Sequence, residues 1–486
     1  MLVSFVSYLV AVIAIGLWAA RKGSNTQEDY FLAGRSFSPL VTALSAVSSG
    51  RSAWLLMGAA VAAWKLGLSA VWYFPGYIAV EALLFLTLGR RLRERSAEID
   101  AITIPEFIAR FSEGPAGRGT SRLPLRSIAA LAVVLFLTTY VSAQLVAGGK
   151  ALAHVVDVDG RTWGLTITAG IVLVYTFLGG YRAVAFTDVL QAILMLTGLL
   201  VLPGLALHHV GGWDSLIERL RVIDPALVSW QRGFWPLVSG LAIGLGSIGN
   251  PHILVRYMSI RDPKELTTSA VIGTTWNVVM AGGALCMGLA GRALYPNAEG
   301  FPEGDTDYLF PLLAESLSNE YLFAGFVGIL LATLFAAIMS TCDSQLLVVA
   351  SSLVRDFRSD SNRGQGLGAS RITVFLTLVV AVAMSFGATR VVDSFVLASW
   401  AALGAAFGPI LIVLLYRQRV TAGAAMIGIL IGAAVSVLWQ QLPLIAGPDG
   451  ELVALKAATG VYELVPAFAA SLLAIVLVNR PRSAAS

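Results

Sequence analysis

Thirteen stretches of about twenty mostly apolar residues run through this chain. They lie near 2–20, 38–63, 66–89, 126–149, 162–180, 186–207, 233–254, 267–291, 321–352, 372–388, 391–416, 421–439 and 461–479. A helix needs about 20 such residues to cross the hydrocarbon core of a bilayer. Backbone groups find no water there, so a spanning segment must be a helix or part of a closed barrel. The alternating ten-residue pattern of a barrel is absent. The pattern therefore predicts an all-α polytopic membrane protein with about 13 transmembrane helices.

Composition agrees. Charged residues make up only 13% of the 486, against about 25% in soluble chains. That excludes disordered, fibrous and disulfide-scaffold classes, and argues strongly against a soluble enzyme. Cys286 and Cys342 both fall inside apolar stretches, where neither would staple an extracellular domain. The first stretch, Leu2 to Ala20, has no basic residue before it and Arg21-Lys22 after it. It reads as a retained span, not as a cleaved leader.

The basic residues set an orientation. With the N-terminus outside, the inner loops hold 23 of the 33 Lys and Arg, notably Arg21, Arg35, Arg90, Arg91, Arg93, Arg95, Arg182, Arg256 and Arg355. The outer loops hold nine, including Lys65, Lys150, Arg161 and Arg292, and Arg51 lies inside a span. The positive-inside rule then puts the C-terminus in the cytoplasm. It also explains the net charge of +4 without a nucleic-acid partner. The longest inner loop, 90–125, contains a short helical piece from Pro105 to Phe111, and the outer loop 292–320 is acidic. No soluble domain is left over. The four His have no metal spacing and no phosphate-binding loop is present, so the reading is not an enzyme, without a cofactor and without ATP drive.

Polar groups inside the spans carry the functional signal, because ionisable side chains at membrane depth mark solute and ion paths. The second span contains Ser45-Ala46-Val47-Ser48-Ser49-Gly50-Arg51-Ser52-Ala53-Trp54. A small-residue packing face would account for the serines but not for Arg51. A helix break lining a cavity accounts for both. The seventh span has a matching run of Gly240, Gly244, Ser247, Gly249, Asn250 and Pro251, which glycine packing alone could also produce. Spans two to six and seven to eleven form two blocks of five, each opening on such a run. An odd number per block makes the two enter the membrane from opposite sides, the inverted-repeat layout of secondary transporters.

In the ninth span Ala337, Ser340, Thr341 and Ser344 share one helix face, with Asp343 beside it. Their oxygens suit a small hard cation. Asp188, near the start of span six, is expected at a similar depth; it either joins an ion path or caps its helix. Glu81, in span three, is also buried in apolar sequence; it could pair with a basic group and is assigned no role.

At these motifs the chain resembles the sodium/solute symporter family, and within it the bacterial sodium/proline symporters. The resemblance is carried by Asp29-Tyr30-Phe31-Leu32-Ala33-Gly34-Arg35-Ser36, Thr42-Ala43-Leu44-Ser45-Ala46, Trp54-Leu55-Leu56-Met57-Gly58 and Tyr175-Thr176-Phe177-Leu178-Gly179-Gly180. It continues through Pro251-His252-Ile253-Leu254, Met339-Ser340-Thr341 and Gly404-Ala405-Ala406-Phe407-Gly408-Pro409. It implies a LeuT-like 5+5 inverted-repeat core, with repeats at 38–207 and 233–416, a leading helix in 1–37 and two further helices in 417–486. It implies sodium-coupled uptake of a small organic solute, an amino acid such as proline, by alternating access across a bacterial inner membrane. The shared sodium site would use carbonyls of Ser48, Arg51 and Ala337 and hydroxyls of Ser340 and Thr341. A second sodium site of some members would match Asp188, Ser340, Asp343 and Ser344. Ser52, Trp54, Tyr140 and the stretch from Ile243 through Ser247 to Pro251 would line the solute cavity.

The chain departs from the proline symporters in two places. Their Asp-Met-Ser is Gly50-Arg51-Ser52 here, and their seventh-span Trp and Tyr are Ile243 and Ser247. Arg51 then has three readings: it neutralises a solute carboxylate, it stands in for a sodium ion, or it pairs with an acid such as Glu81. The alternatives for the whole chain are a sodium-independent or proton-coupled carrier of another small carboxylate, and a transporter-like solute sensor.

Overall fold

The computed structural model describes residues 2–21, 26–112, 122–156, 159–321, 324–357, 367–387, 395–417, 420–446 and 452–479. Lys22, Arg118, Arg358, Arg363, Arg390, Arg419, Arg480 and Arg482 of the loop tally lie outside them. Among the described residues every one of the thirteen apolar stretches is helical. Among the described residues, nine helices are individually long and apolar enough to cross a bilayer, or ten with the seventh span counted as one bent pair. The difference from thirteen has a geometric origin. The stretch Pro39–Glu98 holds two spans, and the helices Thr162–Val174 and Leu464–Val478 are short.

Hydrogen bonds show where Pro39–Glu98 turns back. Phe37 N–H donates to the Ser259 carbonyl at 3.1 Å, and Arg93 Nε donates to the Ile260 carbonyl at 2.7 Å, so both ends of the stretch meet one loop. Its middle, Gly67, has φ +62° and lies against Leu227, where a Cβ would come 2.0 Å from the carbonyl oxygen. Only glycine fits that turn. Spans five and six form one helix, Leu165–His209, bent at Gly180, whose φ is 57° and ψ −160°. Arg182 just beyond the bend reaches the Ala33 carbonyl at 3.3 Å, while Val210 at the far end packs with Leu68 and Leu289.

Two elements carry no hydropathy signal of their own. The outer loop 292–320 contains the helix Leu309–Tyr321, whose Leu309, Phe310, Leu313 and Leu317 are buried. Between spans six and seven, the amphipathic helix Gly212–Ile223 buries Leu216 and Leu220. The short helix expected at Pro105–Phe111 runs from Ile104 to Ser112. Thr103 Oγ1 accepts from Glu106 N–H at 3.1 Å and the Glu106 carboxylate accepts from Ile102 N–H at 3.0 Å, a reciprocal N-terminal cap.

That helix start is also a titrating cluster. Burial opposes ionisation of Glu106, but Arg355 and Arg110 beside it hold its carboxyl below the usual range. Asp356, which accepts from Thr103 Oγ1 at 2.8 Å, is pushed up to about 8 by burial and then by the negative charge of Glu106. The folded chain therefore keeps a proton on Asp356 that the unfolded chain releases near the ordinary value of 3.8. Stability from this proton is complete below the unfolded value and is lost as pH rises toward the folded one. Melting midpoints of the purified protein are expected to fall between about pH 6 and 8, and Asp356→Asn is expected to flatten that slope. An unchanged slope in the variant would assign the dependence to another group.

Candidate functional site

The second span breaks at Ser52, with φ 50° and ψ −170°. A non-glycine residue there costs about 1–3 kcal/mol and persists only where its surroundings impose it. Those surroundings are explicit. Ser52 Oγ accepts from Trp54 N–H at 3.1 Å and from Tyr140 Oη at 3.2 Å, and Gln144 Oε1 takes the freed Ala53 N–H at 3.1 Å. The seventh span breaks at Asn250, with φ −89° and ψ 106°, and the two halves meet at 56°. Pro251 opens the second half, and Asn250 Nδ2 donates back to the Gly246 carbonyl at 2.7 Å.

The ninth span lies against the first of these breaks. Ser340 Oγ donates to the carbonyls of Ser48 (3.2 Å) and Ala337 (3.1 Å). Thr341 Oγ1 donates to Ser49 O and Ala337 O, each at 3.1 Å. Two hydroxyls and the carbonyls of Ser48, Ser49 and Ala337 thus converge, all fully buried. Such an all-oxygen set is the chemistry of a sodium-sized hard cation. The Arg51 carbonyl accepts instead from Trp54 N–H. Among the described residues, no group of His, Cys, Asp and Glu could hold a metal ion.

Asp188 is buried one step from this set. Its carboxylate accepts from Ser45 Oγ at 2.5 Å and from Ser49 Oγ at 3.4 Å, and Ser344 Oγ lies 3.5 Å from Ser49 Oγ. Asp343 is buried beside Ser344. Sequence reasoning missed the group that completes this cluster. Arg256, assigned above to an inner loop, is fully buried on the helix Pro251–Met258. Its guanidinium lies 3.2 Å from Asp188 and bonds Ser45 at 3.1 Å, Ser49 at 2.5 Å and the His252 carbonyl. It does not belong in the loop tally. The one available signal was its place directly after Ile253-Leu254-Val255, in an apolar run.

The third reading of Arg51 matches the observed contacts. Arg51 forms a buried ion pair with Glu81, the guanidinium stacks 4.0 Å over the Tyr77 ring, and Asn277 Nδ2 also bonds Glu81. The charge is thereby compensated by protein, which removes the need to read it as a fixed substitute for sodium.

A small cavity opens beside the Ser52 break, lined by Gly50, Arg51, Ser52, Trp54, Tyr140, Ile243, Val396, Leu397 and Trp400. Ser247 and Pro251 are buried but lie outside this lining. Their place is taken by span eleven, where Trp400 Nε1 donates to the Ile243 carbonyl at 2.8 Å. Val396, Leu397 and Trp400 were invisible in the sequence because they are ordinary apolar residues of an apolar span.

The sequence model of the Sodium:solute symporter family matches residues 30–432. The osmoregulated proline transporter OpuE of Bacillus subtilis (strain 168) is 34% identical, over 98% of this chain and 94% of its own length. The high-affinity proline transporter PutP of the same strain is 35% identical, over 96% of this chain and 95% of its own. The sodium/proline symporter of Staphylococcus aureus (strain NCTC 8325 / PS 47) is 32% identical, over 97% and 91%. Among solved structures, a Na+-coupled sialic acid symporter superposes with a TM-score of 0.78 at 19% identity, over 98% of this chain and 97% of the other. MHP1, a nucleobase-cation-symport-1 family transporter, superposes at 0.55 and 14% identity, over 92% and 93%. These likenesses show the LeuT-type transporter fold.

Proposed function

The chain belongs to the sodium:solute symporter family, and from that premise we propose that it takes up proline, driven by a sodium gradient. The observation that carries this reading is the convergence of Ser340 and Thr341 hydroxyls with the Ser48 and Ala337 carbonyls at the helix break bordering the cavity. A cation there links the broken second span to the ninth. Its binding therefore biases how the two five-helix blocks, 38–207 and 233–416, are disposed around the cavity. Alternating access follows when ion and solute together stabilise the closed arrangement more than either does alone. The membrane is a bacterial inner membrane, with the N-terminus outside and the C-terminus in the cytoplasm.

Within this reading one sodium ion moves per cycle. Asp188, which would match the carboxylate of a second sodium site of some members, is already neutralised by Arg256 at 3.2 Å. Arg256 and an ion 4 Å apart would repel by about 4 kcal/mol at an effective dielectric near 20.

The test is uptake of labelled proline into proteoliposomes at fixed pH, with and without an inward sodium gradient. Accumulation is expected only with sodium, and its rate is expected to rise with sodium concentration with a Hill coefficient near 1. Uptake indifferent to sodium would overturn the coupling, and a coefficient near 2 would overturn the single-ion stoichiometry.

A further inference from the structure

The Arg51–Glu81 pair is incomplete in a specific way. Arg51 Nε and Glu81 Oε1, both buried, have no hydrogen-bond partner among the described residues. The ion pair thus leaves a buried donor unused on Arg51 and a buried acceptor unused on Glu81. Buried polar atoms are nearly always paired, so two orphans on adjacent groups point to a third party. Arg51 is part of the cavity wall, and Glu81 is one hydrogen bond behind it. Glu81 also stands behind Gly50, another wall residue: a Cβ at Gly50 would lie 3.4 Å from Glu81 Oε1. Among the described residues, no other side chain of the lining carries a charge.

We propose that Arg51 and Glu81 together recognise a zwitterion, Arg51 taking the carboxylate of a small neutral amino acid and Glu81 its amine cation. The inference rests on the transport reading above and names the solute class by charge. An α-amino acid holds its two charges two bonds apart, matching a contact ion pair in reverse order. Four alternating charges then share one low-dielectric site with no net charge buried. A plain carboxylate could engage Arg51 only by competing with Glu81, burying one negative charge. A plain amine would bury one positive charge in the same way. Both are rejected by the cost of an uncompensated buried ion. The rest of the wall near them, Trp54, Ile243 and Trp400, offers apolar surface to a compact hydrocarbon side chain or ring.

The experiment is a thermal-shift panel on the purified full-length protein in detergent with saturating sodium. The probes are proline, alanine and valine, together with cyclopentanecarboxylate and pyrrolidine, which carry one charge each on a ring of proline's size. At least one amino acid is expected to raise the midpoint by about 3 °C or more, and neither single-charge ring to do so. An Arg51→Gln/Glu81→Gln double variant removes both charges together while keeping shape and hydrogen bonds. It is expected to fold with a midpoint near that of the unmodified protein and to lose at least ~30-fold in amino-acid affinity. A single-charge ring that stabilises as well as the amino acids would overturn the proposal, as would wild-type affinity in the double variant. Stabilisation by none of the three amino acids would overturn it too. A shift with alanine or valine and none with proline would leave this inference standing and refute proline as the cargo.

Discussion

A Ser340→Ala/Thr341→Ala variant is expected to lose sodium-stimulated proline uptake while remaining folded. The two hydroxyls bond the Ser48, Ser49 and Ala337 carbonyls at 3.1–3.2 Å, all in fully buried surroundings. As neutral hydrogen bonds they contribute about 1 kcal/mol each to folding, so the double variant gives up only about 2 kcal/mol. As ligands to a bare cation they are worth about 1.5–3 kcal/mol each, and losing both weakens the ion by a factor of about 10² to 10⁴. The asymmetry makes the variant a test of function and not of stability. The measurement is the sodium activation curve of uptake in proteoliposomes, with the melting midpoint as the control for folding. A half-saturating sodium concentration like that of the unmodified protein would place the coupling ion elsewhere.

The second large effect is on stability. Arg256 and Asp188 are both fully buried and face each other at 3.2 Å. Removing one member of such a pair leaves an unpaired charge in low dielectric and costs about 3–5 kcal/mol. Arg256→Met is therefore expected to melt well below the unmodified protein, and Arg256→Met/Asp188→Asn to recover most of the loss. Asp188 in the single variant keeps Ser45 and Ser49 around its carboxylate, an oxygen cluster without its resident cation. Added sodium should stabilise Arg256→Met more than the unmodified protein, because an ion that binds only the folded state shifts the equilibrium toward it. Equal sodium responses, or a double variant no better than the single one, would count against Arg256 as the permanent neutraliser of Asp188.

Parts of this site are legible one residue at a time. Ala337, Ser340, Thr341 and Ser344 follow from helical periodicity, and their common face is turned toward the second span. The cluster from Ser45 to Ser52 announces a break, but its position does not follow from composition. Ser52 takes the irregular backbone because Tyr140 and Gln144, some ninety residues away, accept or supply the displaced hydrogen bonds. Arg51 shows the same division. Its presence in an apolar run is a sequence fact with three chemical readings, and the tertiary structure supplies Glu81 as the acid that the third of them names.

The sequence by itself determined the helical bundle, its apolar spans, the two interrupted helices and the hydroxyl face. All of these are encoded within single continuous stretches of the chain, where hydropathy and the 3.6-residue period act. The tertiary structure alone decided which charges meet: Arg51 with Glu81, and Arg256 with Asp188. It also brought Trp400 to the cavity wall through its bond to the Ile243 carbonyl. Energies of buried charges depend on separations of a few ångströms between different spans, and spacing along the chain carries no record of those distances.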